Sequence, residues 1–272
     1  MSDAIKFSAT ATKEFWEIPV LFEDGDMLAF HKPAGLPVSA ELASPDQPNL
    51  ISLVHESIET KKPWTIARNL TYLTNLFKLD TECSGVLLLA KSKPAQSALA
   101  NQFGSDKPGL EFVALVQGEP AEESFAVDAK LAAHPTNPAW TRIDPQAGKK
   151  SRTQFEVIER FRGWSLLRCV PATLRPQQIR AHLKHAHFPV CGDALHGGKP
   201  LWLSRLKRDY RLKEGRTERP LISTVALHAE RLSFAHPSTA QDIVITAPWP
   251  KDLKVAVKYL RQYAATGAPS TE

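Results

Sequence analysis

The sequence has little of what marks several large classes of protein. Only three of its 272 residues are cysteine. Cys83, Cys169 and Cys191 are odd in number and widely spaced, which fits neither a disulfide framework nor paired zinc ligands and suits a reducing compartment. No apolar run approaches the roughly 18 residues that a membrane-spanning helix requires. The first fifteen residues, MSDAIKFSATATKEF, have neither the apolar stretch nor the small-residue cleavage site of a secretory signal, so a cytoplasmic location is expected. No Gly-x-Ser-x-Gly elbow and no metal-ligand motif is present, which leaves a hydrolase of either kind without support. His182, His185 and His187 cluster, but no carboxylate or cysteine pattern completes a site around them, and no metal is expected.

What remains is an ordinary globular composition, 43% hydrophobic, with a modest excess of base: 34 Lys and Arg against 29 Asp and Glu, a net charge of +5. That balance is compatible with a polyanionic partner without demanding one. Residues 18–32, IPVLFEDGDMLAFHK, place two apolar runs around Asp24-Gly25-Asp26 and predict a β-hairpin. Two prolines and a glycine then make Lys32–Pro37 a stiff loop. The runs SGVLLLAK at 84–91 and EFVALVQG at 111–118 predict buried strands, with a helix from Lys93 to Phe103 between them. Further strands are expected at 152–159, 164–170 and 241–246. Strands that follow one another without an intervening helix argue for an α+β fold with a mixed, mostly antiparallel sheet flanked by helices and loops. Residues 177–187, QQIRAHLKHAH, predict a helix with Ile179, Leu183 and Ala186 on one face and Arg180 and Lys184 on another. Residues 16–262 are expected to form one domain, behind an N-terminal extension at 1–15 and ahead of a disordered tail at 263–272.

Three segments carry the candidate chemistry: HKPAGLPV at 31–38, LFKLDTECSGVLLLAKS at 76–92 and LRPQQIRAHLKHAHFPVCGDALHGG at 174–198. On residue type alone they have ordinary readings. Asp80 before Thr-Glu is a good turn or cap residue, Arg180 a solvent-exposed helical arginine, Lys78 a surface lysine, and Phe112 a core aromatic on an apolar strand. Residues 199–219 hold eight Lys or Arg against three acidic residues, with Trp202 and Tyr210 interleaved. Such a run is either a solvated face or an RNA-contact surface that offers charge to phosphates and rings to bases.

The order and spacing of these segments, with Leu227-His228-Ala229 through Phe234, His236 and Pro237, resemble the catalytic domain of RluA-type RNA pseudouridine synthases. That family shows a KPxG loop, HRLDxxTSGLLLxAK, GRxHQIRxHLxxxGxPIxGDxxYG and LHAxxLxFxHP in this order. The resemblance runs from about Ile18 to about Tyr259. It implies the pseudouridine synthase fold and an isomerase that detaches uracil from ribose and rejoins it through carbon in structured ribosomal or transfer RNA. Asp80 is then the catalytic nucleophile, and Arg180 the catalytic cation beside it. Phe112, Lys78, Gln178, Lys32, Trp202 and Tyr210 are the expected substrate-binding residues, Phe112 standing where the family has Tyr and Lys78 where it has the Arg implicated in base flipping. No cofactor, no S4-type RNA-binding domain and no partner beyond RNA is expected, the protein acting as a monomer. Phe77, Lys78, Cys83, Phe112, Gln177 and His196 depart from the family pattern, while Asp80, Ser84, Gly85, Gln178, Arg180, Gly192 and Asp193 keep it. A protein that grips RNA without turning it over is the competing reading. If the resemblance holds, Asp80 and Arg180 lie within about 8 Å of each other, since charges farther apart are largely screened.

Overall fold

A computed structural model describes residues 3–9, 12–41, 46–104 and 109–266. In chain order its elements are β1 (Ala4–Ala9), β2 (Glu14–Glu23), β3 (Met27–Lys32), α1 (Leu50–Glu59), α2 (Pro63–Ala67), β4 (Thr74–Asn75), β5 (Ser84–Ala90), α3 (Lys93–Gly104), β6 (Leu110–Gln117), β7 (Ser124–Asp128), β8 (Leu131–Ala133), β9 (Thr141–Ile143), β10 (Arg152–Phe161), β11 (Trp164–Pro171), α4 (Gln178–His185), α5 (Leu203–Leu206), β12 (Leu227–Ala235), β13 (Asp242–Thr246) and α6 (Lys251–Tyr263). The expected hairpin, the strands and both helices form within a residue or a few of their predicted limits. Residues 4–9, within the expected N-terminal extension, form a strand paired with β2 and bury Ile5 and Phe7. Of the expected tail, residues 267–272 lie outside the described residues, while Tyr263 closes α6 and Ala265 bridges to Phe161.

Among the described residues eleven strands share one sheet with a main order β1-β2-β3-β5-β12-β6-β11-β10-β7. β5 lies inside the sheet between β3 and β12 and all seven of its residues are buried, which explains why SGVLLLA reads as a continuous apolar run and not as an alternation. β12 is inserted between β5 and β6, parallel to the first and antiparallel to the second. Every other described pairing is antiparallel, so the sheet is mixed and mostly antiparallel. No described helix is long and apolar enough to cross a membrane.

The register assigns residues to faces. Lys32 pairs with Gly85, Gly85 with Ala229, Ala229 with Phe112 and Phe112 with Cys169, so one row crosses five neighbouring strands on one face. Its middle is Gly85 and Ala229, the smallest side chains available. The other face carries Ser84, His228 and His31, where the Ser84 hydroxyl meets His228 Nδ1 at 2.8 Å and the two imidazoles stand edge to face at 5.5 Å.

Gly85 has φ +125°, and a Cβ placed there would come within 2.6 Å of the Ala229 main-chain nitrogen. Both the backbone conformation and the close approach of two strands demand glycine. Gly85→Ala should therefore cost about 3 kcal/mol or more, or prevent folding, when unfolding is followed in urea.

Candidate active site

Asp80 sits in the turn that feeds β5, the Cys83 main-chain N–H donating to the Asp80 carbonyl at 3.0 Å. Its carboxylate is met from two sides. Arg180 Nη1 approaches Oδ2 at 3.4 Å, and the Gln177 main-chain N–H donates to Oδ1 at 3.0 Å. The expected proximity of Asp80 and Arg180 is thus realised. Burial raises the Asp80 carboxyl above the usual carboxylate range, against the pull of Arg180 and the Gln177 N–H, which favour the charged form.

Arg180 is not the exposed helical arginine of the ordinary reading: it is 1% exposed. Its strongest partner is not Asp80 either. Asp193 takes the guanidinium in a bidentate pair, Nε to Oδ2 at 2.7 Å and Nη2 to Oδ1 at 2.8 Å, while Nη1 also donates to Glu82 at 2.9 Å. Burial opposes the charge on Arg180, but the Asp193 hydrogen bonds and the three carboxylates overcome it and hold the guanidinium firmly protonated. Burial likewise works against the Asp193 carboxylate, and Arg180 and His196 reverse it, holding that carboxyl well below the usual range. The turn Asp193–Gly197 exists to deliver this carboxylate: Asp193 caps the short 3-10 turn Ala194–His196, and His196 Nδ1 adds a contact at 3.0 Å. Asp193, Glu82 and the Gln177 N–H were not assigned roles from the sequence. Asp193 alone had a signal there, as part of the retained GD motif.

Lys32, expected at the substrate, is fully buried. Its ammonium donates to the carbonyls of Pro33, Leu36 and Thr81 at 2.9, 2.8 and 3.2 Å. Burial lowers its pKa to about 8. It ties the Pro33–Leu36 loop to the Asp80 turn and offers no free donor to a ligand. Gln178 is similarly committed, accepting from Thr173 and the Arg175 N–H and donating to the Arg152 carbonyl and to Thr153. Phe112 lies on the same face as Lys32 and Gly85, roughly 10 Å from Gly85 by strand spacing, with its ring buried. Lys78 is exposed two residues before Asp80.

Trp202 and Tyr210 are half-buried in the segment that leaves the Asp193 turn. All eight Lys and Arg of residues 199–219 are exposed, and none makes an ion pair among the described residues. Tyr210, Arg211, Lys213, Arg216 and Arg219 line an open depression of about 760 Å³. A second cavity, about 390 Å³, opens on the opposite face against His31, Ser84 and His228, away from Asp80. Of the remaining departures from the family pattern, Phe77 packs against Phe103 in the core at 5.5 Å and Cys83 is buried beside Asp80. His182 is held by Ser151, Thr153 and the Ala129 carbonyl.

The fold is that of human RNA pseudouridylate synthase domain containing 4, with a TM-score of 0.68 over 89% of this chain and 92% of that one, at 18% identity. A family model described as RNA pseudouridylate synthase matches residues 26–185. Ribosomal large subunit pseudouridine synthase D of Xylella fastidiosa is 31% identical over 254 residues, covering 91% of this chain and 71% of the relative. Ribosomal large subunit pseudouridine synthase C of Escherichia coli is 31% identical over 244 residues, covering 89% and 70%. The chain belongs to the RNA pseudouridylate synthase family and is an RNA pseudouridine synthase, an isomerase.

Because Asp193 satisfies a buried guanidinium, Asp193→Ala should cost about 3–5 kcal/mol in urea unfolding. The depressed carboxyl also sets a pH window. Its contribution to stability is complete above the unfolded value near about 4 and is lost as pH falls through the lower folded value. Asp193→Asn should remove that part of the acid-side decline and leave stability near pH 7 lower than wild type.

Proposed function

We propose that this enzyme isomerises uridine to pseudouridine in large-subunit ribosomal RNA, acting in the cytoplasm as a monomer, with Asp80 as its nucleophile and the target base flipped out of its stack. The observation that carries the reading is the Asp80 carboxylate, held between a buried guanidinium and a main-chain N–H and still 18% exposed at its side chain. The reaction breaks the C1′–N1 bond of uridine and forms C1′–C5. A proton leaves C5 and one is gained at N1, so product and substrate have the same composition and no redox partner is required. A carboxylate suits both roles such chemistry offers, attack on an electron-deficient carbon and stabilisation of it. Elevation of the Asp80 pKa by burial makes the carboxylate more basic, while Arg180 and the Gln177 N–H keep it charged and oriented.

A base inside a duplex cannot reach a buried carboxylate, which is why extrusion is part of the proposal. Lys78, exposed two residues before Asp80, follows the displaced backbone, and the buried ring of Phe112 backs the base from the face it shares with Gly85 and Ala229. The eight unpaired cations of residues 199–219, with Trp202 and Tyr210, supply phosphate and base contacts along a segment that begins next to the Arg180–Asp193 pair. Ribosomal RNA is favoured over transfer RNA by the names of the relatives. Contact between the retained Asp80 and Arg180 favours turnover over RNA binding alone.

The test is to map pseudouridine in cellular RNA after deletion of the gene, then after complementation by wild type or Asp80→Ala. Loss of one or more large-subunit sites, restored by wild type and not by Asp80→Ala, is the expected result, with the purified variant slower by at least about 10³-fold. If no site disappears, or if Asp80→Ala restores every lost site, the proposal fails; loss confined to transfer RNA overturns the substrate.

A further inference from the structure

We propose that Gln177 is a positioning residue for Asp80: its side chain, fastened to the hairpin of β8 and β9, holds a left-handed backbone conformation that aims its main-chain N–H at the carboxylate. The inference rests on the reading of Asp80 as nucleophile. Gln177 has φ 53° and ψ 20° immediately before α4, a conformation that residues other than glycine, asparagine and aspartate adopt at a cost. Such strain persists where surrounding contacts impose it. Here they are visible. The Thr141 main-chain N–H donates to Gln177 Oε1 at 3.0 Å, and Gln177 Nε2 donates to the Ala139 carbonyl at 2.9 Å. Both amide ends of one side chain therefore grip the same three residues of the hairpin, on either side of the partly exposed Trp140.

From that conformation the Gln177 N–H reaches Asp80 Oδ1. It is the contact on the carboxylate that Arg180 does not make, since Arg180 approaches Oδ2. The two donors fix the plane of the carboxyl group between them. Hairpin and nucleophile are thereby linked through a single residue, and loosening the amide grip lets the backbone at 177 relax away from Asp80. The other charged or titratable groups that face Asp80 are Arg180 from α4, Glu82 and Cys83 from its own turn, and Lys32 from β3. None belongs to the hairpin, so each acts equally in wild type and in variants of Gln177.

The test compares wild type with Gln177→Ala, Gln177→Gly and Gln177→Asn, reading the Asp80 carboxyl titration directly from its ¹³C resonance without RNA. Alanine loses the grip and keeps the strain, so the titration midpoint should rise by about half a unit or more as the N–H withdraws. Glycine loses the grip but adopts the left-handed conformation freely, and asparagine tolerates it, so both should stay within about 0.2 units of wild type. Trypsin cleavage at Arg142 and Lys149 should quicken about tenfold in both the alanine and glycine variants, because the hairpin has lost its fastening. A common midpoint in all four proteins, a rise in glycine as large as in alanine, or unaltered cleavage in the glycine variant overturns the proposal. If the alanine variant does not fold, unaltered cleavage in the glycine variant, or a glycine midpoint raised by about half a unit or more, overturns the proposal. Turnover by Asp80→Ala would sink the nucleophile assignment while leaving these measurements readable.

Discussion

The site depends on one buried guanidinium. Arg180 brings five N–H donors in a rigid plane to a position where it is 1% exposed, so its donors need partners within the protein. Asp193 takes Nε and Nη2, Nη1 reaches both Glu82 and Asp80, and each carboxylate comes from a turn rather than from a strand. The Asp80–Cys83 turn is drawn across 100 residues of chain to α4 and to the Asp193–Gly197 turn that follows it closely by this requirement. A lysine in the same place would supply a point charge without the fork, and could not hold Asp193 by two parallel bonds while reaching Asp80.

A second buried cation does a different task. Lys32 meets carbonyls, not carboxylates, and its three protons are divided among the two sides of the Pro33–Leu36 loop and the Asp80 turn. The Gly35 N–H adds a bond to the Thr81 carbonyl at 2.8 Å. The loop is thereby joined to the Asp80 turn by both main chain and side chain. The two buried cations divide the labour, one setting the electrostatics of the carboxylate and the other the path of the chain that carries it.

Much of this was legible in the sequence, for identifiable reasons. β5 and β6 read as buried strands because central strands are apolar on both faces, and α4 read as a helix from Ile179 and Leu183. Asp80 and Arg180 were legible through motif order and spacing, not through their residue types, which have commonplace explanations. α6 was overlooked although Leu253, Ala256, Val257 and Leu260 follow helical spacing, and α1 although Asn49 caps it ahead of Leu50, Leu53 and Val54. The Asp193 clamp was not legible, because a pairing across a turn and a helix is decided by where both end in space. Lys32 and Gln178 were expected at the substrate for being polar members of a motif. Their hydrogen bonds, set by β-strand register and by the approach to α4, hold the loops around the site together.

The insertion of β12 between β5 and β6 also governs when the site can exist. Ser84 and His228, joined across the one parallel pairing described, are 144 residues apart in the chain. β5 and β6 stand as neighbours only through a strand made much later than either, so the long-range closure that builds this part of the sheet waits on synthesis of β12. Until then both strands present unpaired edges of buried character, the kind that aggregates or recruits chaperones. Asp80 is translated long before β12, which pairs with the start of the strand its turn feeds, and the pocket is consequently a property of this long-range closure rather than of any early folding unit.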